Sequence, residues 1–493
     1  MRGRCGQTGE HLESLDLSSS QGTLATPSGL RRRVDVWTWP SLVIYGAILA
    51  LFVLLVLRAF TVSGPTGWAV GAVYIGYDAL LLVFTFWETL PLRHGPVGAL
   101  AKSDLPSLGV IVAAYNEGVV LEATVRALLA QTAPPQEIII ADDGSVDDTA
   151  NVMRTAFGLV PPAIGGLSET SIVAPGMRWL RLAHGGKAAA LNAALPCLTT
   201  EVVITVDADT RLAPDALAAM RNAFGANPHL VAATGILQPT CGSGLMARSL
   251  ELFQAYEYMR SFLFRFAWMQ QNSLLLVSGA FAGYRRQAVN EVGGYDTQSL
   301  VEDYDVMNRL MRHSGDYQRG WQSAVVGGAL GVTSAPASPM AFMRQRRRWF
   351  GGFLQTQYRF RGMVGNRHYG RLGLVMLPIT AIESLQALYG LFSLGFLIFY
   401  LTTGRWSILI PVGALVLGKI VVDIAFHVWA VILYRRWVAK PAGLSPLLAV
   451  IISLIEPYSF QVLRNAAAAW GWVFMLSGNA EWGVPDRREH GEA

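Results

Sequence analysis

Two carboxylates close a short apolar run at residues 202–210, Val-Val-Ile-Thr-Val-Asp-Ala-Asp-Thr. The run is rich in β-branched residues and reads as a buried strand. Asp207 and Asp209 follow with only Ala208 between them. On an extended backbone, residues two apart point to the same side. Both acids then leave the strand together, at the end where ligands sit in open α/β sheets. Two carboxylates on one side suit a hard divalent cation, and such a cation suits a diphosphate. Taken alone, the pair reads equally well as a solvated loop.

Four further stretches carry polar groups in places where chemistry is done. Ala113-Ala114-Tyr115-Asn116-Glu117-Gly118 ends a first apolar run. Tyr115 could stack on a base, and Glu117 could accept from a ribose or a base edge. Ala141-Asp142-Asp143-Gly144-Ser145 ends a second run, with Asp147 and Asp148 behind it. Acids there can receive the N–H of a pyrimidine, and equally serve a turn and a helix N-cap. His184-Gly185-Gly186-Lys187 opens an alanine-rich helix. Its glycines permit close backbone approach, and a lysine at a helix start can meet a phosphate. Later come Val301-Glu302-Asp303-Tyr304-Asp305 and Gln345-Arg346-Arg347-Arg348-Trp349. Acids at a helix N-terminus are favourable on dipole grounds alone. A glutamine, an arginine and a tryptophan in one cationic element are less ordinary.

The elements that must hold these residues follow from the hydropathy pattern. Strands are expected at 108–114, 137–141 and 202–206, and helices at 119–129, 149–156 and 187–195. Short alternating β and α elements predict a mostly parallel, doubly wound α/β sheet. No G-x-G-x-x-G follows the first strand, and no G-x-x-x-x-G-K-[ST] occurs, which argues against a dehydrogenase and a P-loop ATPase.

The flanks are different. The chain has 493 residues, 52% of them hydrophobic and only 15% charged, with a mean hydropathy of +0.36. The apolar excess gathers towards both ends. Residues 41–57 and 67–90 read as a membrane hairpin turning at Gly64-Pro65. Residues 372–402, 407–434 and 445–478 read as further apolar regions, with a kink or interfacial piece at Pro378 and a break at Glu456-Pro457. Asp78, Glu383, Lys419, Asp423, His427 and Glu456 fall at membrane depth, where such groups need partners or water. Lys419 and Asp423 lie four apart and can pair. The net charge of +5 fits a basic membrane protein, and Arg31-Arg32-Arg33 places the N-terminus in the cytoplasm. No basic-aromatic patch argues for nucleic acid. Cys5, Cys197 and Cys241 give neither a disulfide framework nor metal spacing.

Five segments are therefore expected: a polar tail (1–33), a transmembrane hairpin (34–92), a cytoplasmic domain (103–355), C-terminal interfacial and transmembrane helices (356–478) and a charged tail (479–493).

The ordered series AAYNEG, ADDGS, HGGKAAALN, DAD, VEDYD and QRRRW resembles the family 2 inverting glycosyltransferases. The subgroup nearest in pattern is the membrane-embedded one of cellulose, chitin, hyaluronan and poly-N-acetylglucosamine synthases. The resemblance implies a GT-A doubly wound mixed sheet and a metal-dependent hexosyltransferase in the cell membrane. It implies Tyr115, Glu117 and Asp143 as uridine contacts and Lys187 as a diphosphate-side contact. Asp207 and Asp209 match the D-x-D pair, with Asp209 holding Mg²⁺ or Mn²⁺ through the diphosphate. Asp303 matches the general base, with Glu302 before it on the substrate side. Gln345, Arg348 and Trp349 match Q-x-x-R-W, which contacts the diphosphate and flanks the acceptor sugar. Ser278 to Arg285 resembles the acceptor-side segment.

The implied partners are a UDP-sugar donor, a polysaccharide acceptor, membrane lipids and an export or accessory subunit. Two departures argue against cellulose as the product. No F-x-V-T precedes Gln345, where Ser334-Ala335-Pro336-Ala337-Ser338 stands, and the short charged tail leaves no room for a C-terminal regulatory domain. The expected activity is extension of a β-linked polysaccharide with export through the C-terminal spans. The alternatives are a non-processive enzyme acting on a membrane lipid, and a transport subunit with an inactive nucleotide-sugar domain.

Overall fold

A computed structural model describes residues 34–62, 64–94, 105–438 and 444–477. The tails expected at 1–33 and 479–493, with the arginine triplet, lie outside the described residues. Two apolar helices come first, α1 (Trp39–Thr61) and α2 (Ala69–Thr89). The middle of the chain runs β1 (Leu108–Ala114), α3 (Leu121–Leu129), β2 (Glu137–Asp142), α4 (Thr149–Phe157), β3 (Met177–Arg181), α5 (Lys187–Ala194), β4 (Val202–Asp207), β5 (Thr210–Leu212) and α6 (Ala216–Ala226). It continues through β6 (Leu230–Thr240), α7 (Leu245–Gln270), β7 (Phe281–Arg285), α8 (Arg286–Glu291), α9 (Glu302–Asp316), β8 (Gln322–Ser334) and α10 (Pro339–Arg359). The apolar helices α11 (Leu377–Thr402), α12 (Trp406–Trp437), α13 (Pro446–Ile455) and α14 (Phe460–Leu476) follow.

The strands form one sheet in the order β3-β2-β1-β4-β7-β6-β8-β5. The first four are mutually parallel, and their interior residues are almost all buried. That is why they read as unbroken apolar runs: helices cover both faces, so alternation is lost. Each fully buried aliphatic side chain there contributes roughly 1.5–3 kcal/mol. Beyond β4 the sheet becomes mixed, because β7 runs antiparallel to both β4 and β6. The sheet is therefore mixed, as the family resemblance implies, and its parallel half is the part that the β/α alternation predicts. β7 follows a long helix and the connecting residues 271–280 rather than a short crossover, so nothing in the local pattern sets its direction.

From β1 the chain winds outward through β2 and β3, then returns to place β4 on the other side of β1. The cleft between β1 and β4 is thus a topological switch point, where open α/β sheets bind ligands. Register brings the strand ends level. Ala113 pairs with both Ala141 and Asp207, Ala114 with Asp142, and Val206 with Phe281. The loops after β1, β2 and β4 and the segment before β7 consequently share one edge.

Four helical stretches are long and apolar enough to cross a membrane: Trp39–Thr61, Thr66–His94, Leu372–Thr402 and Trp406–Trp437. The pair Pro446–Tyr458 and Phe460–Leu476 meets the same test with a 46° bend. Pro378 follows closely on a π-helical turn at Leu372–Met376, inside one helical stretch that runs from Leu372 to Thr402, so the irregularity expected near Pro378 takes the form of a π turn on its N-terminal side. Leu54, Leu57, Leu80 and Leu417 point outwards from the bundle and stay exposed, as lipid-facing residues would.

Among the described residues, the polar groups named at membrane depth, apart from Glu383, have charged or hydrogen-bonding partners. Lys419 Nζ lies 2.7 Å from Asp78 Oδ2 and also meets Asp423. Arg260, from α7, pairs with Glu456 and lies 3.0 Å from His427 Nε2. Paired in this way, the ions cost far less to bury than they would alone.

Candidate active site

The D-A-D stretch is only partly strand. β4 ends at Asp207, and Ala208 and Asp209 form a turn into β5. Strand alternation therefore does not bring the two acids together, as the spacing suggested. The turn does: the Asp207 charge is felt strongly at Asp209, whose carboxyl is pushed up to about 7, first by burial and then by that charge.

Lys187 binds three segments at this edge. From the first turn of α5 its Nζ lies 2.5 Å from Asp207 Oδ1 and 3.2 Å from Glu302 Oε1, and donates to the Gly279 carbonyl at 3.3 Å. Burial alone would lower its pKa, but Asp207 and Glu302 outweigh burial and raise it. Glu302 shows the reciprocal effect. Its burial is overcome chiefly by Lys187, with Arg348 assisting, so its pKa is lowered.

Asp303 is held beside them by backbone donors. Its Oδ2 accepts from Gly279 N at 2.7 Å and its Oδ1 from Tyr304 N at 2.8 Å. Burial and the Glu302 charge together raise its pKa. A carboxylate in that state is suited to take a proton. The acid limb of kcat/KM is expected above the ordinary aspartate value of about 3.9. Replacing Glu302 by Gln removes a negative neighbour, so it should move that limb to lower pH, whatever it does to the maximal rate. A pH–rate profile of both proteins checks this.

Gly279 lies in the Ser278–Arg285 segment that resembles the acceptor side, but the sequence assigned it no role of its own. A Cβ there would come 3.0 Å from Asp303 Oδ2 and 3.2 Å from Asp303 Cβ. Gly279→Ala is expected to push Asp303 aside and lower turnover by up to about 10²-fold, since displacing a reacting group by about 1 Å can cost that much. Donor binding, measured by UDP titration, should be unchanged. The signals in the sequence were that resemblance and the small residues at 278–280.

The part of the edge after β2 is built around Asp143. Its Oδ1 accepts from Gly185 N at 2.8 Å and its Oδ2 from Gly186 N at 2.9 Å. His184 Nδ1 lies 2.9 Å from Oδ2. Asp143 is buried and thus orders the loop that delivers Lys187, a job its acid identity alone did not reveal. The exposed His184 ring stacks on Tyr115, with centroids 4.2 Å apart and planes 23° apart. Glu117 is buried, and its backbone N–H donates to Thr149 Oγ1 at 3.2 Å. Asn116, at φ 55°, ties the same loop to the next: its N–H reaches Ser145 Oγ and its Oδ1 accepts from Val146 N, both at 2.9 Å.

Helix α10 closes the other side. Ser338 caps its start, and Pro339 occupies the first turn. Gly352 lets the helix sit directly against Leu300 and Val301, where a Cβ would meet Val301 Cγ2 at 2.6 Å. Arg348 Nη1 donates to the Leu300 carbonyl at 3.2 Å, and Leu300 N donates to Gln355 Oε1 at 3.2 Å. These bonds fix the residues just before Glu302 and Asp303. Gln345 accepts from Arg346 Nη1 at 2.9 Å, and Trp349 is 37% exposed with the Arg346 guanidinium 4.2 Å from its ring centroid. The edge therefore gathers Asp207, Asp209, Lys187, Glu302, Asp303 and Arg348. Tyr115, Glu117 and Asp143 lie to one side, and Gln345 and Trp349 stand on α10.

Comparison with known proteins gives concordant results. Glycosyl transferase family 2 matches residues 109–293, and Glycosyl transferase family group 2 matches residues 202–476, more than half of the chain. The chain is 25% identical over 291 residues to a poly-beta-1,6-N-acetyl-D-glucosamine synthase of Staphylococcus epidermidis, covering 58% of this chain and 61% of that protein. It is 27% identical over 300 residues to a beta-monoglucosyldiacylglycerol synthase of Trichormus variabilis, covering 58% and 59%. The matches thus span about six-tenths of these two relatives. A mannosyltransferase from Pyrobaculum calidifontis, solved in complex with GDP-Man and Mn²⁺, superposes with a TM-score of 0.50 at 18% identity, over 83% of this chain and 99% of its own. That likeness establishes the GT-A fold.

Proposed function

Because this chain belongs to glycosyl transferase family group 2, we propose that it is a membrane-bound, metal-dependent, inverting enzyme that moves a sugar from a UDP-sugar to the growing end of a β-linked polysaccharide. The observation that carries this reading is the convergence of Lys187, Asp207, Glu302 and Asp303 at the switch-point edge. The incoming hydroxyl gives its proton to Asp303 as it attacks the anomeric carbon. The departing diphosphate gains negative charge, which Lys187 and Arg348 meet. One in-line displacement inverts the anomeric centre. Tyr115, Glu117 and Asp143 line the uridine side, while Gln345 and Trp349 flank the diphosphate and the acceptor sugar.

Asp207 and Asp209 would hold Mg²⁺ or Mn²⁺. Among the described residues no group of three or more His, Cys, Asp or Glu converges to hold an ion alone. Two carboxylates completed by substrate phosphates suit Mg²⁺, and the raised Asp209 carboxyl marks a place that favours added positive charge. When bound, the cation supplies charge neutralisation at the leaving diphosphate. The Mn²⁺ complex of the mannosyltransferase supports this assignment.

The catalytic domain, residues 103–355, would lie in the cytoplasm, with Arg435 and Arg436 closing α12 on the same side. The C-terminal spans would help pass the product across. A lipid acceptor is the second reading: the glucosyldiacylglycerol synthase matches over the same share of this chain as the polymer synthase. An apolar cavity of about 240 Å³ between α1, α2 and α11, lined in part by Tyr74, Tyr77 and Tyr389, would suit an acyl chain.

The deciding experiment is UDP release by the purified, membrane-reconstituted protein, offered each common UDP-sugar with Mg²⁺, Mn²⁺ or chelator. Release with one sugar, lost on chelation, is the expected result. Chromatography of labelled product then separates a polymer ladder from a single lipid-soluble spot. Absence of UDP release with every sugar would count against the enzyme reading and for a transport subunit.

A further inference from the structure

The second residue of Q-x-x-R-W-type motifs is left open by the pattern, yet here it is Arg346 and it is buried, with 6% of its surface exposed. Its Nη1 donates to Gln345 Oε1 at 2.9 Å. Its guanidinium lies 4.2 Å from the Trp349 ring centroid and 4.7 Å from that of Phe342. Its Nη2 pairs with Glu257 of α7. One side chain thus touches both Gln345 and Trp349, the residues at the two ends of the motif.

Glu257 is shared. Its other oxygen, Oε1, lies 3.6 Å from Arg464 Nη1 on the membrane helix α14. Arg464 in turn donates to Gln461 Oε1, and Gln461 Nε2 reaches Tyr74 Oη on α2 at 3.3 Å. The same two helices, α10 and α14, touch backbone to backbone: a Cβ on Gly471 would come 3.1 Å from Gly351 N and 3.0 Å from the Arg347 carbonyl. Arg347 adds its guanidinium over the Trp470 and Phe474 rings of α14, at 4.5 and 4.8 Å. The motif helix is therefore fixed to a membrane helix along its whole middle, and the Glu257–Arg346 pair joins that contact to α7.

We infer that Glu257 and Arg346 are positioning residues that set the acceptor side of the site, holding Gln345 and the Trp349 ring in place from the membrane helices. This rests on the glycosyl-transfer reading above. The donor edge does not depend on the pair: Lys187, Asp207, Glu302 and Asp303 are bonded to one another and to Gly279. Loss of the pair should uncouple the two halves of the reaction. The donor is still cleaved, with water as acceptor, but the sugar is not delivered to its proper hydroxyl.

The test uses the full chain in liposomes containing diacylglycerol, supplied with labelled UDP-N-acetylglucosamine or UDP-glucose. Free labelled sugar, the product of transfer to water, and label incorporated into polymer or lipid are counted separately. Glu257→Gln is expected to leave the release of free sugar and the donor KM unchanged, while incorporation falls by about 10²-fold, the size expected when a positioned group shifts by about 1 Å. Glu257→Asp keeps the charge and should recover part of the incorporation. If Glu257→Gln fails to accumulate because Arg346 is left without its partner, the double variant E257Q/R346M removes both charges and should show the same selective loss. Equal loss of both signals, or no loss of either, would overturn the inference. A wild-type protein inert towards every common UDP-sugar would instead overturn the glycosyl-transfer reading, before any variant is made.

Discussion

Asp303→Asn is expected to lower sugar transfer by about 10²–10⁴-fold, the usual contribution of a positioned general base, while UDP still binds. The amide cannot take the proton of the incoming hydroxyl, so the loss should appear in kcat with little change in the donor KM. The two backbone donors sharpen the test. Gly279 N and Tyr304 N each point at a different Asp303 oxygen, and an amide can accept at only one of them. A small loss of stability should therefore accompany the variant, roughly 1–3 kcal/mol for one unsatisfied N–H, and a thermal melt would register it. Calorimetric UDP titration together with turnover separates the two effects. If transfer persisted at wild-type rate with Asn at 303, the base would have to be sought elsewhere, and the reading of a transport subunit would gain.

The sheet and most of the site were legible because the same physics that buries a parallel strand also marks its end. β1 was readable to the residue, since seven consecutive apolar positions have no other home than a doubly covered sheet. Asp142, Asp143 and Asp207 stood out for the complementary reason, as polar groups where an apolar run stops, and Lys187 as the charged start of an alanine-rich helix behind two glycines. β3 (Met177–Arg181) was missed, since its arginines break the run. β5, β6, β7 and β8 were not anticipated either, and the direction of β7 could not have been, because pairing partners at long range are not written in local spacing. Gly279, Glu257 and Arg346 were invisible for another reason. A glycine is needed at 279 only because Asp303 arrives from 24 residues away, and Glu257 has a role only because α10 and α14 come to it. Their significance is a property of tertiary contact. The membrane acids were read as ion-paired on general cost grounds, and the Asp78–Lys419 contact follows that expectation.

Lys187→Met should lower turnover by about 10²–10³-fold, the scale for removing one donor from a developing anion, and it should also change the cation requirement. The second effect is the more telling. Lys187 Nζ lies 2.5 Å from Asp207 Oδ1, so in the free protein the ammonium neutralises a carboxylate that the proposed metal also uses. Removing it takes a positive charge away from Asp207 and from Glu302, and a divalent cation should then bind the edge more tightly. The variant is expected to reach half-maximal activity at a lower Mg²⁺ or Mn²⁺ concentration than the wild type, at a much reduced maximum. A lysine that only touched the diphosphate, away from the carboxylates, would raise the donor KM and leave the metal titration where it was. Lys187→Arg discriminates further. It keeps the charge, but its planar fork cannot occupy the same point between Asp207, Glu302 and the Gly279 carbonyl, so its metal dependence should stay near wild type while its rate falls. A lower rate together with a tighter apparent metal affinity in Lys187→Met, with the affinity change absent in Lys187→Arg, would tie this lysine to both the leaving group and the D-x-D pair.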